Sequence, residues 1–169
     1  RDPDDKAENI CFSNFDVTAS SELIVLDRFS CNRLWSIKAN HGFIHNSVIC
    51  GDGILFCLDK LPQHPETKLK RRGEPLPMGS RLIYIDIKTG NIVHQDENDI
   101  FGSWLGYSSD HKFLLQATRP SHDMLTGENG NRMIVYNIKN NEKVWDRAIT
   151  YANPPIIHRD KIYTEGEGF

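Results

Sequence analysis

No apolar run among the 169 residues approaches the ~20 needed to span a bilayer as a helix. Cysteine is scarce. Its four positions, Cys11, Cys31, Cys50 and Cys57, include no adjacent pair and no CxxC, which argues against a disulfide framework or a CxxC zinc site. Positive charge is in short supply too: 20 Lys and Arg stand against 23 Asp and Glu, for a net charge of -3 and a pI near 6.2. That balance provides no clustered basic footprint, so no nucleic-acid partner is expected. Neither H-E-x-x-H nor G-x-S-x-G occurs, which leaves a hydrolase of either kind without support. The rest of the composition, 38% hydrophobic and 25% charged with 12 Gly and 8 Pro, is that of an ordinary folded domain.

What the chain does contain is an internal repeat. Glu22-Leu-Ile-Val-Leu-Asp-Arg-Phe-Ser-Cys-Asn-Arg-Leu-Trp35, Arg81-Leu-Ile-Tyr-Ile-Asp-Ile-Lys-Thr-Gly-Asn-Ile-Val-His94 and Arg132-Met-Ile-Val-Tyr-Asn-Ile-Lys-Asn-Asn-Glu-Lys-Val-Trp145 superpose without a gap. Each runs from a charged residue through an apolar strand to Asp or Asn, a polar turn, and a second short strand ending on an aromatic ring. That pattern predicts a β-hairpin.

A second hairpin accompanies each one, over 46–58, 104–116 and 155–164, with polar turns at Gly51-Asp-Gly53, Ser109-Asp-His-Lys112 and His158-Arg-Asp-Lys161. Four strands, A to D, then make one antiparallel unit. The expected fold is an all-β propeller of four-stranded blades, with about three blade equivalents in one partial domain over 1–169. Blades are expected at about 9–38, 46–97 and 104–149, with the start of another at 155–169. Trp35, His94 and Trp145 lie 59 and 51 residues apart, beyond the ~40–45 of a simple blade. Two insertions, 61–80 and 119–131, account for the excess, and a short helix in the first is compatible with the fold. Both insertions join strands B and C. In an antiparallel blade the B–C and D–A connections leave by one face, so all the elaboration belongs there. The opposite face has tight turns such as Thr89-Gly90 and Asn140-Asn141, whose residues suit positive φ.

Within 46–58, a tight Asp52-Gly53 turn pairs Cys50 with Leu55 and leaves Cys57 diagonal to Cys50. Diagonal partners lie roughly 7–8 Å apart, too far for a disulfide, so both cysteines are expected as small buried hydrophobes. The start at Arg1-Asp-Pro and the stop at Gly-Glu-Gly-Phe169 read as cuts within a longer protein. About three blades are fewer than the usual minimum of four. Flanking sequence is therefore expected to complete the ring, with a six-blade homodimer as the alternative.

The apolar strand, Asp, Lys-Thr-Gly and closing aromatic, best seen at Ile83-Tyr-Ile-Asp-Ile-Lys-Thr-Gly90, resemble the tryptophan-bearing blade repeat of pyrroloquinoline-quinone-like β-propellers. More narrowly, Leu23-Ile-Val-Leu-Asp-Arg28, His41-Gly-Phe-Ile-His-Asn46, Leu55-Phe-Cys-Leu-Asp59 with Leu69-Lys-Arg-Arg-Gly73, and Phe101-Gly-Ser-Trp-Leu-Gly-Tyr-Ser108 are similar to a segment of large bacterial proteins carrying such repeats. The resemblance spans roughly Leu23 to Gly166. It implies a propeller in a periplasmic or otherwise exported bacterial protein, acting as a non-catalytic ligand- or protein-binding segment. The alternative it implies is part of a quinoprotein alcohol or sugar dehydrogenase. Catalytic members of that kind carry an adjacent-cysteine ring disulfide and a calcium site built by Glu, Asn and Asp, with an Asp base. This chain has no Cys-Cys pair, and Asp99, Asp123, Glu128, Glu165 and Glu167 read as scattered surface carboxylates. No cofactor is expected; pyrroloquinoline quinone with calcium belongs to the alternative.

Candidate binding residues come from the D–A crossings. His41, His45 and Asn46, with Trp104, Tyr151 and Asn153, are expected to approach one mouth of the axial channel and meet a small-molecule or protein ligand there. The competing account has them fixing the crossings by hydrogen bonds to backbone. Trp35 and Trp145 are expected to pack between blades, each indole N–H reaching a carbonyl, and His94 takes the same repeat position. Lys68, Lys70, Arg71 and Arg72 read as a solvated charge run, with no aromatic series beside it for stacking bases. No catalytic or metal-ligating residue is assigned.

Overall fold

A computed structural model describes residues 19–75, 79–120 and 128–166, with the backbone alone over 63–65. The expected strand around Asn9-Ile-Cys-Phe-Ser13 lies outside the described residues, as do Asp123 and Glu167.

The four strands β3 (Ile49–Gly51), β4 (Ile54–Asp59), β5 (Arg81–Asp86) and β6 (Ile92–Asp96) form one antiparallel meander. A second meander consists of β7 (Trp104–Ser108), β8 (Phe113–Ala117), β9 (Met133–Asn137) and β10 (Glu142–Arg147). Hairpins stand at either end: β1 (Ala19–Leu26) with β2 (Arg33–Ile44), and β11 (Ile156–His158) with β12 (Lys161–Tyr163). The all-β propeller architecture is therefore present as two full blades flanked by two half-blades. The innermost strands β3, β7 and β11 lie side by side along the axis.

Tight turns set the register. Asp52 and Gly53 take φ of 52° and 79°, and Cys50 pairs with Leu55 across them. Lys112 and Arg159 adopt the same left-handed region at the equivalent A–B turns, and Asn141 does so at a C–D turn, at a local cost that the flanking ladders offset. The buried sequence Leu82-Ile-Tyr-Ile85 shows why the blades stack. Leu82 and Tyr84 face the second full blade, packing with Leu105, Leu114, Ile134 and Tyr136. Ile83 and Ile85 point the other way, toward Leu23, Trp35 and Ile37 of the first hairpin. A strand buried on both faces must be apolar at every position, and this one is.

Cys57 is buried among these residues, and burial pushes its thiol up to about 12, which leaves it inert. Cys50 corrects the sequence expectation. It is exposed, because its strand is only three residues long and the described part of the first hairpin covers β4 and β5 rather than β3.

Helix α1 (Gln63–Arg72) occupies the first insertion. Gly73, at φ 67°, ends it: the Gly73 N–H donates to Lys70 O and the Glu74 N–H to Leu69 O. Glu66 in the first turn and Lys70, Arg71 and Arg72 in the last complement the helix dipole, and Glu66 pairs with Lys70 at 2.5 Å.

Candidate functional site

Three crossings carry the chain from the rim of one blade to the axis of the next, and each is held differently. The first, at Asn40-His41-Gly42, runs over Asp59, the residue that ends the apolar strand β4. The Asp59 carboxylate accepts the backbone N–H groups of Asn40, His41 and Gly42 at 2.7, 2.9 and 2.9 Å, and Arg81 Nε at 2.9 Å. Both side chains are withdrawn from water, Asp59 wholly and Arg81 to 9% exposure. Burial alone would raise the Asp59 pKa, but the three N–H groups and the guanidinium outweigh it and hold the carboxyl below its usual range.

Arg132 stands at the equivalent repeat position in the second blade and grips the next crossing. Its guanidinium bonds Asp99 and Asp146, at 2.8 Å from Nη1 to Asp99 and 2.9 Å from Nε to Asp146, and lies 4.8 Å over the Phe101 ring. Those bonds depress both carboxyls, Asp146 to about 2. Lys143 adds longer contacts to the same pair of carboxylates. Lys60 also ties the crossings together: its N–H donates to Gly42 O at 3.0 Å and its Nζ to Gly102 O at 2.6 Å. Burial lowers the Lys60 pKa, an effect partly offset by Glu128 and Glu66.

Gly102 must be glycine on two counts. Its φ is +62°, and a Cβ there would sit 2.1 Å from the Ala117 carbonyl oxygen, a backbone atom that cannot swing aside. Gly102→Ala is expected to cost about 1–3 kcal/mol from forced overpacking, read as a lower urea midpoint with an unchanged denaturation slope.

The third crossing is fixed by Tyr151. This side chain is 3% exposed; its hydroxyl accepts the Thr118 N–H at 2.9 Å, donates to Arg132 O at 2.9 Å and lies 2.8 Å from Thr118 Oγ1. The bonding capacity of the Tyr151 hydroxyl is thereby filled inside the protein. Trp104 Nε1 donates to Pro155 O at 2.8 Å, and the Asn153 side chain donates to Glu165. His45 and Asn46 are the exposed residues of a turn over 45–47 that packs against β7, with Ser20 Oγ 2.8 Å from His45 Nε2. The His41 N–H is one of those held by Asp59. Of the six residues, His45 and Asn46 are thus the exposed pair, while Trp104, Tyr151 and Asn153 make bonds within the fold.

At the rim, Trp35 Nε1 donates to Ile87 O at 2.8 Å in the adjacent blade, and its ring lies against Gly90. His94 lies tilted at 58° to the Tyr84 ring of its own blade, with centroids 4.9 Å apart, and Trp145 packs on the cluster of Leu115, Met133 and Val135. Asp59 and Arg81 are the residues that reading for exposed polar loops passed over. Their signal was an acid closing a fully apolar strand, and an Arg opening two of the three repeats.

The donor set for a calcium-bound quinone does not assemble among the described residues. Asp99 is taken by Arg132, Glu128 accepts the Arg119 N–H at 2.8 Å, and Glu165 is bonded by Asn153. Among the described residues, no group of three or more His, Cys, Asp or Glu side chains is placed to hold a metal ion, and no described helix is long and apolar enough to cross a membrane.

No protein-family model and no curated protein matches the chain. Among solved structures, Saccharomyces cerevisiae Sqt1 is similar over 85% of this chain and 36% of its own length, at 11% identity and a TM-score of 0.54. BamB from Moraxella catarrhalis aligns over 85% of this chain and 48% of its own, at 18% identity and a TM-score of 0.34. The chain thus spans about a third to a half of the proteins it is compared with. Both are β-propeller proteins, and the likeness to Sqt1 supports the fold alone.

Proposed function

We propose that this chain is a non-catalytic segment of a β-propeller that binds a protein partner through its insertion-bearing face. The observation that carries this reading is the asymmetry of the faces. Helix α1 and the connection from β8 to β9 both leave by the B–C side, alongside the three crossings, whereas among the described residues the other side has only tight turns. On that elaborated side, Lys68, Arg71 and Arg72 are exposed, as are His45 and Asn46. Surfaces built for recognition are usually loops held on a rigid scaffold, and the clamps on the crossings provide the rigidity.

The finer resemblance to quinoprotein propellers enters here as ancestry of the repeat and not as chemistry. Bacterial origin and residence in the periplasm or another exported compartment belong to the same reading, and fractionation of native cells tests the compartment. For the activity, the protein is mixed with calcium and pyrroloquinoline quinone. No stoichiometric binding and no alcohol- or sugar-dependent dye reduction are expected; either one overturns the non-catalytic reading.

The binding face is tested by reversing charge at Lys68, Arg71 and Arg72 to Glu. A parallel variant alters Asp110 and Asp160 in the turns of the opposite face. Recovery of partners from native cells by quantitative affinity purification is expected to fall at least tenfold for the first variant only. Equal losses, or none, contradict the assignment.

A further inference from the structure

Helix α1 buries almost nothing. Leu69 is the only apolar side chain among residues 66–72, and every residue from Thr67 to Pro75 except Leu69 is exposed. The two partly covered side chains, Glu66 and Leu69, stand three residues apart and so share the face turned toward the blades. Lys68, Arg71 and Arg72, related by steps of three and four, fall on the face turned to solvent. A helix polar on all sides adds little to a core.

The charge on that outer face is not neutralised within the fold. Lys70 points away from it and is taken by Glu66 at 2.5 Å, while Arg72 has only a loose contact of 3.8 Å with Glu74. Among the described residues, Lys68 and Arg71 have no ion-pair partner. Yet four of the 20 cations in a chain of net charge -3 fall within 68–72. An acidic protein thus carries a local cationic face on its insertion-bearing side.

Three cations without apolar or aromatic company narrow the chemistry of the partner. A membrane surface holds a helix through an apolar face as well as through charge, and α1 has none. Single-stranded nucleic acid stacks its bases on aromatic rings, and 61–80 contains no Phe, Tyr or Trp. Carboxylates need neither. Arg presents paired donors to a carboxylate and Lys a point charge. Neighbours at i+3 and i+4 have Cβ atoms about 5–6 Å apart, close to the ~7 Å between alternate residues of an extended segment.

We infer that the protein partner of this face presents an acidic segment, with Asp or Glu on alternate positions, that docks along Lys68, Arg71 and Arg72. The inference rests on the insertion-bearing face being the binding surface. Charge complementarity at an exposed site acts chiefly on the rate of encounter and the choice of partner, and salt screens it. The opposite face provides the contrast, because Arg28, Lys88 and Lys139 stand singly in the turns of three separate hairpins.

The probe is fluorescein-labelled deca-glutamate, titrated with the 169-residue chain and followed by fluorescence anisotropy. Saturable binding is expected. Exposed ion pairs are weak singly, so Lys68→Gln, Arg71→Gln and Arg72→Gln together are expected to lower affinity about tenfold at ~25 mM salt, with the gap closing toward ~0.5 M. Removing the same charge from the opposite face, by Arg28→Gln, Lys88→Gln and Lys139→Gln, is expected to leave affinity within about twofold. Vesicles of phosphatidylserine in phosphatidylcholine and a thymidine decanucleotide, titrated alike, are expected to bind more weakly than the peptide. No saturable binding of the peptide, equal losses in the two triple variants, or tighter binding of the vesicles or the oligonucleotide overturns the inference. If affinity purification from native cells still loses its partners on charge reversal at these residues, the binding face stands and only the acidic segment falls. If it does not, the face falls as well.

Discussion

Asp59→Asn is expected to lower stability at neutral pH by about 3–5 kcal/mol, because it leaves the Arg81 guanidinium buried without its counter-charge. The Asn amide retains the shape but loses the charge that receives three backbone N–H groups. The dependence on pH identifies the cause. Asp59 has a folded-state pKa below the ordinary 3.8, so its contribution is present above about pH 4 and lost as pH falls through the folded value. The gap between the original protein and Asp59→Asn is therefore widest near neutrality and narrows in acid. Urea denaturation at pH 7 and at pH 3, at one protein concentration, measures both. A gap that stays constant in acid, or is below 1 kcal/mol at pH 7, removes Asp59 as the anchor of the first crossing.

Phe56→Ala should be of similar size, about 3–5 kcal/mol. Phe56 is fully buried between the full blades, edge-on to Tyr84 with centroids 4.9 Å apart and 5.0 Å from Tyr107 of the next blade. If the blades fold as one cooperative unit, the loss appears as a single transition shifted to lower urea, seen alike by far-ultraviolet circular dichroism and tryptophan fluorescence. Two transitions, with only one of them shifted, would mean that the blade interface contributes little to cohesion.

The strand plan was legible because it is local. Alternation, turn residues and a gapless repeat specify hairpins at 22–35, 81–94 and 132–145, and the strands lie there. The Cys50–Leu55 pairing followed from the Asp52-Gly53 turn for the same reason. The crossings were much less legible. Whether a polar residue there faces solvent or the interior depends on which group of the next blade lies beneath it, and that is set by contacts 17 to 33 residues away in sequence. The sequence left Tyr151 open between ligand contact and fixing its crossing, because its partners, Thr118 and the Arg132 carbonyl, belong to other segments. Cys50 was misjudged through neighbour burial: alternation gives the face of a strand, not whether anything covers that face.

The central claim is that successive repeats stack as blades, and the contact between Trp35 and Gly90 tests it most directly. The indole ring lies so close to Gly90 that a Cβ there would be 2.7 Å from ring carbon Cδ2, across 55 residues of chain. Proton magnetic resonance of the folded protein is predicted to show a Gly90 Hα signal shifted strongly upfield by the ring, with a nuclear Overhauser effect to the indole. The shift should vanish in Trp35→Leu. A Gly90 signal at its random-coil position, with Trp35 showing effects only within its own hairpin, would contradict the stacking.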